Sequence, residues 1–337
     1  MDNPILRRSA RGSIVNLIAL FVVFAILMGL IGSGLINSYY EGIIMLICIN
    51  IILAVSLNIV TGFLGQIALG HAGFMSVGAY TAGLFVKSTE SLPGELRFLV
   101  SLIFGGLVAA VLGIIVGVPA LRLKGDYLAI ITLGFGEIIR VIIENIGFTG
   151  GAQGLRGIPR LANFPTVFWV TVLVIGILFT FVRSRHGRAI TTIREDDIAS
   201  SSSGIPNTYY KVLAFTTSAF FAGVAGAIYA QYYGVLSARA FNFSRSIDIL
   251  VYVVLGGMGS LTGSILAAGV LTILPELLRS VADYRMLAYA VALILIMIFK
   301  PSGMLGRYEF SLIRALQWLR AKVRGNAVKE GGSGHGK

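Results

Sequence analysis

Three ionisable side chains fall on one side of a single apolar segment. Glu137, Arg140 and Glu144 are spaced i, i+3 and i+7, so a helix aligns them along one face. Charged groups inside an apolar segment are costly unless they pair with one another or face water. The ladder therefore predicts one of two things. It is an internal salt-bridge series that ties helices together, or it is the charged lining of a path for a solute that carries both charges.

Glycines crowd two other apolar segments, and polar side chains lie among them. Such clusters are typical of broken membrane helices whose backbone groups face a cavity, and also of helices that pack closely through small residues. We expect Gln66 and His71 near the same path, with a buried, hydrogen-bonded histidine as the alternative for His71. The first cluster contains Gly62, Gly65, Gly70, Gly73 and Gly78, and the second contains Gly256, Gly257, Gly259 and Gly263.

A small polar turn follows the charged ladder. Thr149, Gly150 and Gly151 lie where an apolar segment gives way to a loop. Such loops often carry function, so these residues are candidates for a gate, although a simple turn explains them equally well.

The longest polar stretch between two apolar segments covers residues 183–208. Gly187 predicts the start of a short helix, and Gly204 with the following Ile-Pro predicts its end. Between them, apolar residues recur at helical spacing and leave a charged face. One interpretation is a helix that rests on lipid headgroups. The acidic cluster is unsuited to anionic lipid, so docking on a soluble partner is favoured, through Gly187, Arg188, Glu195, Asp196, Asp197, Ala199 and Gly204.

Two motifs that suggest other chemistry lead nowhere. The chain ends in residues 331–337 with the pattern G-x-x-x-x-G-K, but a phosphate-binding loop needs a preceding strand and a Ser or Thr after the Lys. Cys48 is the single cysteine, so neither a disulfide framework nor a Cys-rich metal site is expected. We therefore expect no cofactor in this chain and no enzymatic activity.

Composition shows what must position these residues. Hydrophobic residues make up 56% of the 337 positions and charged residues 12%, whereas soluble domains carry about 25% charged residues. Runs long enough to span a bilayer as helices recur along the chain, about ten in all, and no period-two alternation suggests a β-barrel. The expected fold is an all-α polytopic membrane protein, with spans at Ile14–Leu35, Ile43–Val60, Phe63–Val86, Phe98–Val118, Tyr127–Ile146, Thr166–Val182, Val212–Tyr233, Ile247–Leu255, Leu261–Leu278 and Tyr284–Phe299.

Basic residues predict the orientation. If the spans alternate from a cytoplasmic start, most of the 27 Lys and Arg residues fall on the side that holds both termini, as the positive-inside rule requires. The net charge of +12 then reflects topology and anionic lipid, with no support for nucleic-acid binding. We predict a membrane domain over residues 1–306, containing the cytoplasmic loop 183–208, and a basic cytoplasmic tail over residues 307–337.

Several ordered motifs are spread over residues 43–306. They are S-L-N-I-V-T-G-F-L-G-Q (56–66), L-G-H-A-G-F (69–74), G-A-Y-T-A (78–82), G-D-Y (125–127), T-L-G-F-G-E (132–137), T-G-G (149–151), G-R-A-I-T-T-I-R-E-D-D-I-A (187–199) and L-G-G-M-G-S (255–260). Together they are similar to the motifs of one family, the permease subunits of branched-chain amino acid ABC importers, and the resemblance covers roughly 43–306. The loop resembles the segment by which such permeases dock on their ATPase, with one departure, since Ser200–Ser203 replaces an Ala-Glu-Ala pattern. That departure puts the pairing with a particular ATPase in doubt.

The resemblance implies partners and a location. A permease of this kind, similar to the second permease subunit of the leucine, isoleucine and valine importer, would lie in the bacterial inner membrane. It would work with a homologous permease, two ATPase subunits that bind ATP, and an external solute-binding protein. Importers of urea, short-chain amides or other amino acids share much of the pattern. An ion-coupled secondary transporter with the ladder as relay, and a scaffold protein without transport activity, are the alternatives from other classes.

Overall fold

The computed structural model describes residues 20–34, 36–121, 123 and 126–278, with the isolated positions 290, 291, 294, 298, 303, 304 and 306. The chain divides into two units, one of residues 1–38 and 309–337 and one of residues 39–308. The predicted tail 307–337, most of the span at Tyr284–Phe299 and the start of the span at Ile14–Leu35 lie outside the described residues.

Helices dominate the described residues. The only strands in the described ranges are β1 (Leu155–Arg156) and β2 (Val235–Leu236), which pair antiparallel. The helices are α1 (Leu20–Gly32), α2 (Ser38–Asn58), α3 (His71–Ser88), α4 (Gly94–Ala120), α5 (Asp126–Asn145), α6 (Phe164–Arg183), α7 (Arg185–Glu195), α8 (Asp197–Ser202), α9 (Asn207–Tyr233), α10 (Phe243–Gly256) and α11 (Leu261–Leu277). The expected all-α membrane fold is confirmed.

Four helices are long and apolar enough to cross a bilayer: Ser38–Phe63, Gly94–Ala120, Phe164–Arg183 and Asn207–Tyr233. Leu20–Gly32 and Leu261–Leu277 are shorter apolar helices. The helix α10, at 14 residues, is also shorter than the roughly 20 residues that a straight span needs. The chain is thus a polytopic membrane protein in which four long apolar helices lie among helices that are shorter or less apolar.

Small residues bring three helices into close contact at the centre of the larger unit. A side chain on Gly78 of α3 would lie 2.2 Å from the Gly223 carbonyl oxygen of α9. A side chain on Gly226 would lie 2.0 Å from the carbonyl oxygen of Met75. On Gly105 of α4 it would lie 2.8 Å from the carbonyl oxygen of Gly78. For these glycines, the packing explanation is the one that the structure supports.

The segment predicted as one irregular span, Phe63–Val86, is divided. Helix α2 continues as a π-helical turn, Ile59–Phe63, and residues 64–70 are non-helical before α3 begins at His71. Leu69 donates its backbone N–H to Thr132 Oγ1 of α5 at 3.0 Å, and Gly70 lies directly against the Thr132 backbone. Helix α3 therefore begins beside the second turn of α5 instead of at the level where α5 begins.

The 27-residue helix α9 separates two ends of this unit, about 40 Å apart at 1.5 Å per residue. Its first turn lies beside α8, and its last turn leads into β2. One end therefore holds α7, α8, the π-helical turn and the α10–α11 junction. The other holds the β1–β2 pair and the turns between α5 and β1.

Candidate functional site

The polar stretch between α6 and α9 begins with a turn that only glycine fits. Ser184 caps α7, since its Oγ accepts from the N–H groups of His186 and Gly187 at 3.2 and 3.4 Å. A side chain on Gly187 would lie 2.1 Å from the carbonyl oxygen of Val182. Arg188 is exposed and donates to the carbonyl oxygen of Arg183 at 2.9 Å. Gly187 thus sets the angle at which α7 leaves the membrane helix α6.

The stretch forms two helices, and the prediction of a single helix from Gly187 to Gly204 is wrong. Asp196 has an extended backbone, φ −156° and ψ 113°, which ends α7 at Glu195. Its Oδ1 accepts from the N–H groups of Ile198 and Ala199 at 2.8 and 3.0 Å, so the carboxylate caps α8. The acidic cluster therefore contains a helix break because one of its members can satisfy the next helix's free donors.

Asp197 holds α8 onto the start of α9. Its Oδ2 lies 2.9 Å from Lys211 Nζ, and its Oδ1 accepts from Asn207 Nδ2 at 2.7 Å. Gly204, with φ +81°, closes the turn between the two helices. Of the predicted docking residues, Asp196 and Asp197 thus have roles inside the chain, while Glu195 and Ala199 are exposed. Ile198 is 76% exposed, the largest exposed fraction of the large apolar side chains described.

The α7 helix is anchored on the opposite face. Ile190 and Ile193 are buried at 1% and 4% exposure. Arg194 donates from Nη1 to the carbonyl oxygen of Gly62 in the π-helical turn. Arg194 was not among the predicted site residues, because no spacing rule connects positions 132 residues apart. A glycine-rich turn in one segment and an arginine in a distant loop were the only signals.

His71 is the buried, hydrogen-bonded residue of the alternative interpretation. Its side chain is 3% exposed, and Nε2 lies 3.0 Å from Ser56 Oγ. Gln66 lies in the non-helical segment 64–70, where its backbone N–H donates to the carbonyl oxygen of Val60 at 3.0 Å. Its Oε1 is buried and has no hydrogen-bond partner among the described residues. Gln66 therefore brings an unsatisfied acceptor to the broken part of the helix, whereas His71 does not face open space.

The predicted ladder forms as ion pairs along α5. Arg140 Nε lies 2.7 Å from Glu137 Oε2, and Arg140 Nη1 lies 3.0 Å from Glu144 Oε2. Arg239, in the 3₁₀ turn before α10, extends the series with its Nε 3.3 Å from Glu144 Oε1. The Arg140 side chain is 23% exposed, so the ladder lies at the edge of the packed face of α5.

The Thr149–Gly151 turn is tied to the end of α5. Thr149 Oγ1 lies 2.6 Å from the carbonyl oxygens of Ile143 and Ile146. Gly150 and Gly151 have positive φ angles of 85° and 54°, which favour glycine. The turn leads to β1 and belongs to the same end of the unit as Glu144 and Arg239. The predicted path residues thus occupy different places: Gln66 and His71 lie in and just after the non-helical segment 64–70, the ladder lies along α5, and Thr149–Gly151 lie just beyond the end of α5.

Polar contacts inside the membrane domain include several that sequence reasoning missed. Asn58, at the end of α2, donates from Nδ2 to the Ser260 carbonyl oxygen and Ser264 Oγ, both at 2.8 Å. Asn50 accepts from Arg245 Nη2 at 2.6 Å and donates to Thr272 Oγ1 at 2.9 Å. The available signal was a polar residue within an apolar run. These contacts join α2 to α10 and α11.

One cavity of about 520 Å³ is lined by none of these residues. It separates the first turns of α4 and α6 and is lined largely by apolar side chains, including Phe98, Leu99, Trp169 and Leu173. No group of three or more potential metal ligands occurs within the described part of the chain. The cavity does not contain any of the predicted path residues.

Comparisons with known proteins agree with the helical membrane fold. Residues 39–300 match a family described as "Branched-chain amino acid transport system / permease component". The chain is 38% identical over 279 residues to the high-affinity branched-chain amino acid transport system permease protein LivM of Salmonella typhimurium and of Escherichia coli. These alignments cover 72% of this chain and 64% of each relative, so the chain spans somewhat less than two thirds of their length.

More distant relatives are also permeases. Identity to the LivH permease protein of Escherichia coli is 26% over 275 residues, covering 74% of this chain and 88% of that protein. Identity to the nucleoside ABC transporter permease protein NupC of Lactococcus lactis is 24%, covering 54% of this chain and 62% of that protein. No solved structure matches.

Proposed function

Since the chain belongs to the family of permease components of branched-chain amino acid transport systems, we propose that it is the membrane-spanning permease subunit of an ATP-driven importer of branched-chain amino acids. The proposed location is the bacterial cytoplasmic membrane. The observation that carries the proposal is the α7–α8 segment. It is anchored on one side by Arg194 and Lys211 and exposes Glu195, Ile198 and Ala199 on the other.

The α7–α8 segment suits docking onto a cytoplasmic ATPase. The exposed surface of α7–α8 combines one large apolar side chain with acidic neighbours. Such a surface suits binding in a groove of a protein better than contact with lipid, because anionic headgroups repel carboxylates. Lys211 holds α8 to the transmembrane helix α9, so a movement of this surface is transmitted to the membrane domain. The chain itself would then make and break no covalent bond, and two partner subunits would bind and hydrolyse ATP.

A second, homologous permease and an external solute-binding protein complete the proposed assembly. The helix α5 supports a contact with the second permease, because it exposes a band of apolar side chains, Ile130, Ile138 and Val141, beside the charged ladder. We place the translocation path along this edge of α5, where the non-helical segment 64–70 brings Gln66 and the ladder brings Glu137, Arg140 and Glu144. Thr149–Gly151 would lie at its outer end.

Branched-chain amino acids are favoured over other solutes by the relatives. The LivM proteins share 38% identity with this chain, against 24% for the nucleoside permease. A path that offers both charge signs also suits a zwitterion. An ion-coupled transporter would use an acidic group that exchanges protons, whereas Glu137 and Glu144 are both paired to Arg140.

The assembly is tested by purifying the tagged chain from detergent-solubilised native membranes and identifying its partners by mass spectrometry. Recovery of an ATP-binding subunit and a second permease is expected, and leucine uptake by the reconstituted complex should require ATP. Recovery of the chain alone, as a stable and homogeneous species, would contradict the proposal and favour the ion-coupled transporter.

The docking surface is tested by Ile198→Asp. Apolar anchors at protein interfaces carry much of the binding energy, and this side chain is exposed, so the fold should tolerate the change. We expect binding to the ATPase subunit to weaken about tenfold or more, with the amount of chain in the membrane unchanged. Ser203→Asp, which adds the same charge to an exposed position at the end of α8, is the matched control. Equal loss in both variants would show that charge alone causes the effect.

A further inference from the structure

Arg194 lies where two broken helices meet, and the contacts of its side chain reach both. Its guanidinium donates to the carbonyl oxygen of Gly62 in the π-helical turn after α2. Its stem lies against Gly65, where a side chain would come within 2.8 Å of Arg194 Cγ. A side chain on Gly259, between α10 and α11, would lie 3.0 Å from Arg194 Nη1. Glycine at these positions makes room for the arginine.

The two junctions are also bonded to each other. Asn58 Oδ1 accepts from the N–H of Gly259 at 3.0 Å, while its Nδ2 donates to the carbonyl oxygen of Ser260 at 2.8 Å. A side chain on Gly62 would lie 2.3 Å from the nitrogen of Gly259. The backbones are thus in direct contact, and a displacement of one junction must displace the other.

The bond to Gly62 has a specific physical role. The π-helical turn ends the 26-residue helix Ser38–Phe63, whose last carbonyl groups have no partner within the helix. A cation at that end satisfies one carbonyl oxygen and opposes the negative end of the helix dipole. π-helical turns are also frequent at functional sites. Arg194 is therefore a cap supplied by the cytoplasmic helix α7 to a membrane helix.

We propose that Arg194 is the positioning residue through which movement of α7 is transmitted to the paired junctions α2–α3 and α10–α11. This inference rests on the proposed function, because α7 moves only if an ATPase engages it. The α7 helix is held to the membrane domain on its buried face by Ile190 and Ile193, which are apolar and non-directional contacts. Arg188 bonds α7 back to α6, whereas Arg194 gives α7 a directional contact with the two junctions. Its loss leaves α7 in place but frees the junctions from it.

The test compares variants in the purified, reconstituted complex with its ATPase subunits and binding protein, using leucine as the solute. Arg194→Gln keeps a hydrogen-bond donor but removes the charge and the fork. We expect ATPase association and ATP hydrolysis to persist while leucine transported per ATP falls about tenfold, a typical strength for coupling between sites. Arg194→Lys, which restores the charge with a single donor group, should recover part of the ratio.

Arg185→Gln is the matched control, because it removes the same charge from an exposed position in the first turn of the same helix. Its leucine-to-ATP ratio should equal that of the unaltered chain. An unchanged ratio in Arg194→Gln would overturn the proposal while leaving the importer function intact. Loss of both Arg194 variants from the membrane would overturn it in favour of a cap needed only for folding. An unaltered chain that recovers no ATPase would overturn both the inference and the proposed function.

Discussion

Single glycines control how the polar α7–α8 segment joins the membrane helices. Gly187 lies at the turn from α6 to α7, where the carbonyl oxygen of Val182 leaves no room for a side chain. Gly176, in the middle of α6, has no neighbouring atom within 4 Å of the position that a side chain would take. A side chain is therefore excluded at Gly187 but has room at Gly176, although the two glycines are only 11 residues apart.

This contrast gives a prediction for paired Gly→Ala substitutions. Gly187→Ala should destabilise the chain by about 1–3 kcal/mol, because the turn must open to accept the methyl group. Gly176→Ala should cost nothing and stabilise α6 by up to about 1 kcal/mol, since alanine restricts the unfolded backbone. Thermal unfolding of both variants in detergent checks the difference. Equal melting temperatures would show that the α6–α7 turn is more open than the structure indicates.

At the scale of helices, sequence patterns located most elements but did not fix where they break. The apolar runs predicted α2, α4, α6 and α9 because hydrophobic length is a local property. The break at Asp196 was missed, since the acidic run is compatible with a continuous helix until its carboxylate is seen to cap α8. The broken-helix interpretation of the first glycine cluster agrees with the non-helical segment 64–70, but the bounds of that segment were not predicted. Its backbone is satisfied partly by Thr132 of α5, a contact that no local pattern encodes.

For the candidate site, contacts between neighbouring residues of one helix were predicted, and contacts between distant segments were not. The i, i+3, i+7 spacing of the ladder correctly predicted that its charges share one face, and the pairing follows from that geometry. Arg239 joins the ladder from a turn 95 residues away, and Arg194 reaches Gly62 across 132 residues. Such contacts depend on how helices are arranged in space. A single sequence gives the residue types but does not show which distant residues come into contact.

The ladder on α5 gives a prediction that separates its two interpretations. Arg140→Gln removes the described partner of Glu137, while Glu144 keeps Arg239. An unpaired charge should destabilise the chain by about 1 kcal/mol, a value discounted for its partial exposure. The double variant Glu137→Gln/Arg140→Gln should recover the melting temperature, because no lone charge remains. If the ladder lines the path, leucine uptake by the double variant stays low. Restored uptake would identify the ladder as a brace between α5 and the turn before α10.

At the scale of the whole chain, the two ends of the larger unit differ in the kind of contact they offer. One end has the exposed polar surface of α7 and α8, together with Arg194 and the paired junctions α2–α3 and α10–α11. The other end holds the β1–β2 pair and side-chain-to-backbone contacts, such as the hydrogen bond that Lys87 Nζ donates to the carbonyl oxygen of Arg156 at 3.1 Å. The proposed importer would use this asymmetry, because its energy would arrive from the cytoplasm and its solute from outside.

The excess of basic residues predicts that the α7–α8 end faces the cytoplasm, and cysteine labelling tests that prediction. Cys48 is the single cysteine and is 6% exposed, so Cys48→Ala provides a silent background. Gln153→Cys and Ser202→Cys then place one exposed thiol at each end of the unit. A membrane-impermeant maleimide added to intact spheroplasts should label position 153, and position 202 only after lysis.

The reverse labelling pattern would invert the topology and exclude a cytoplasmic ATPase at α7–α8. Labelling of both positions before lysis would show that the reagent had entered, which a cytoplasmic marker protein detects independently.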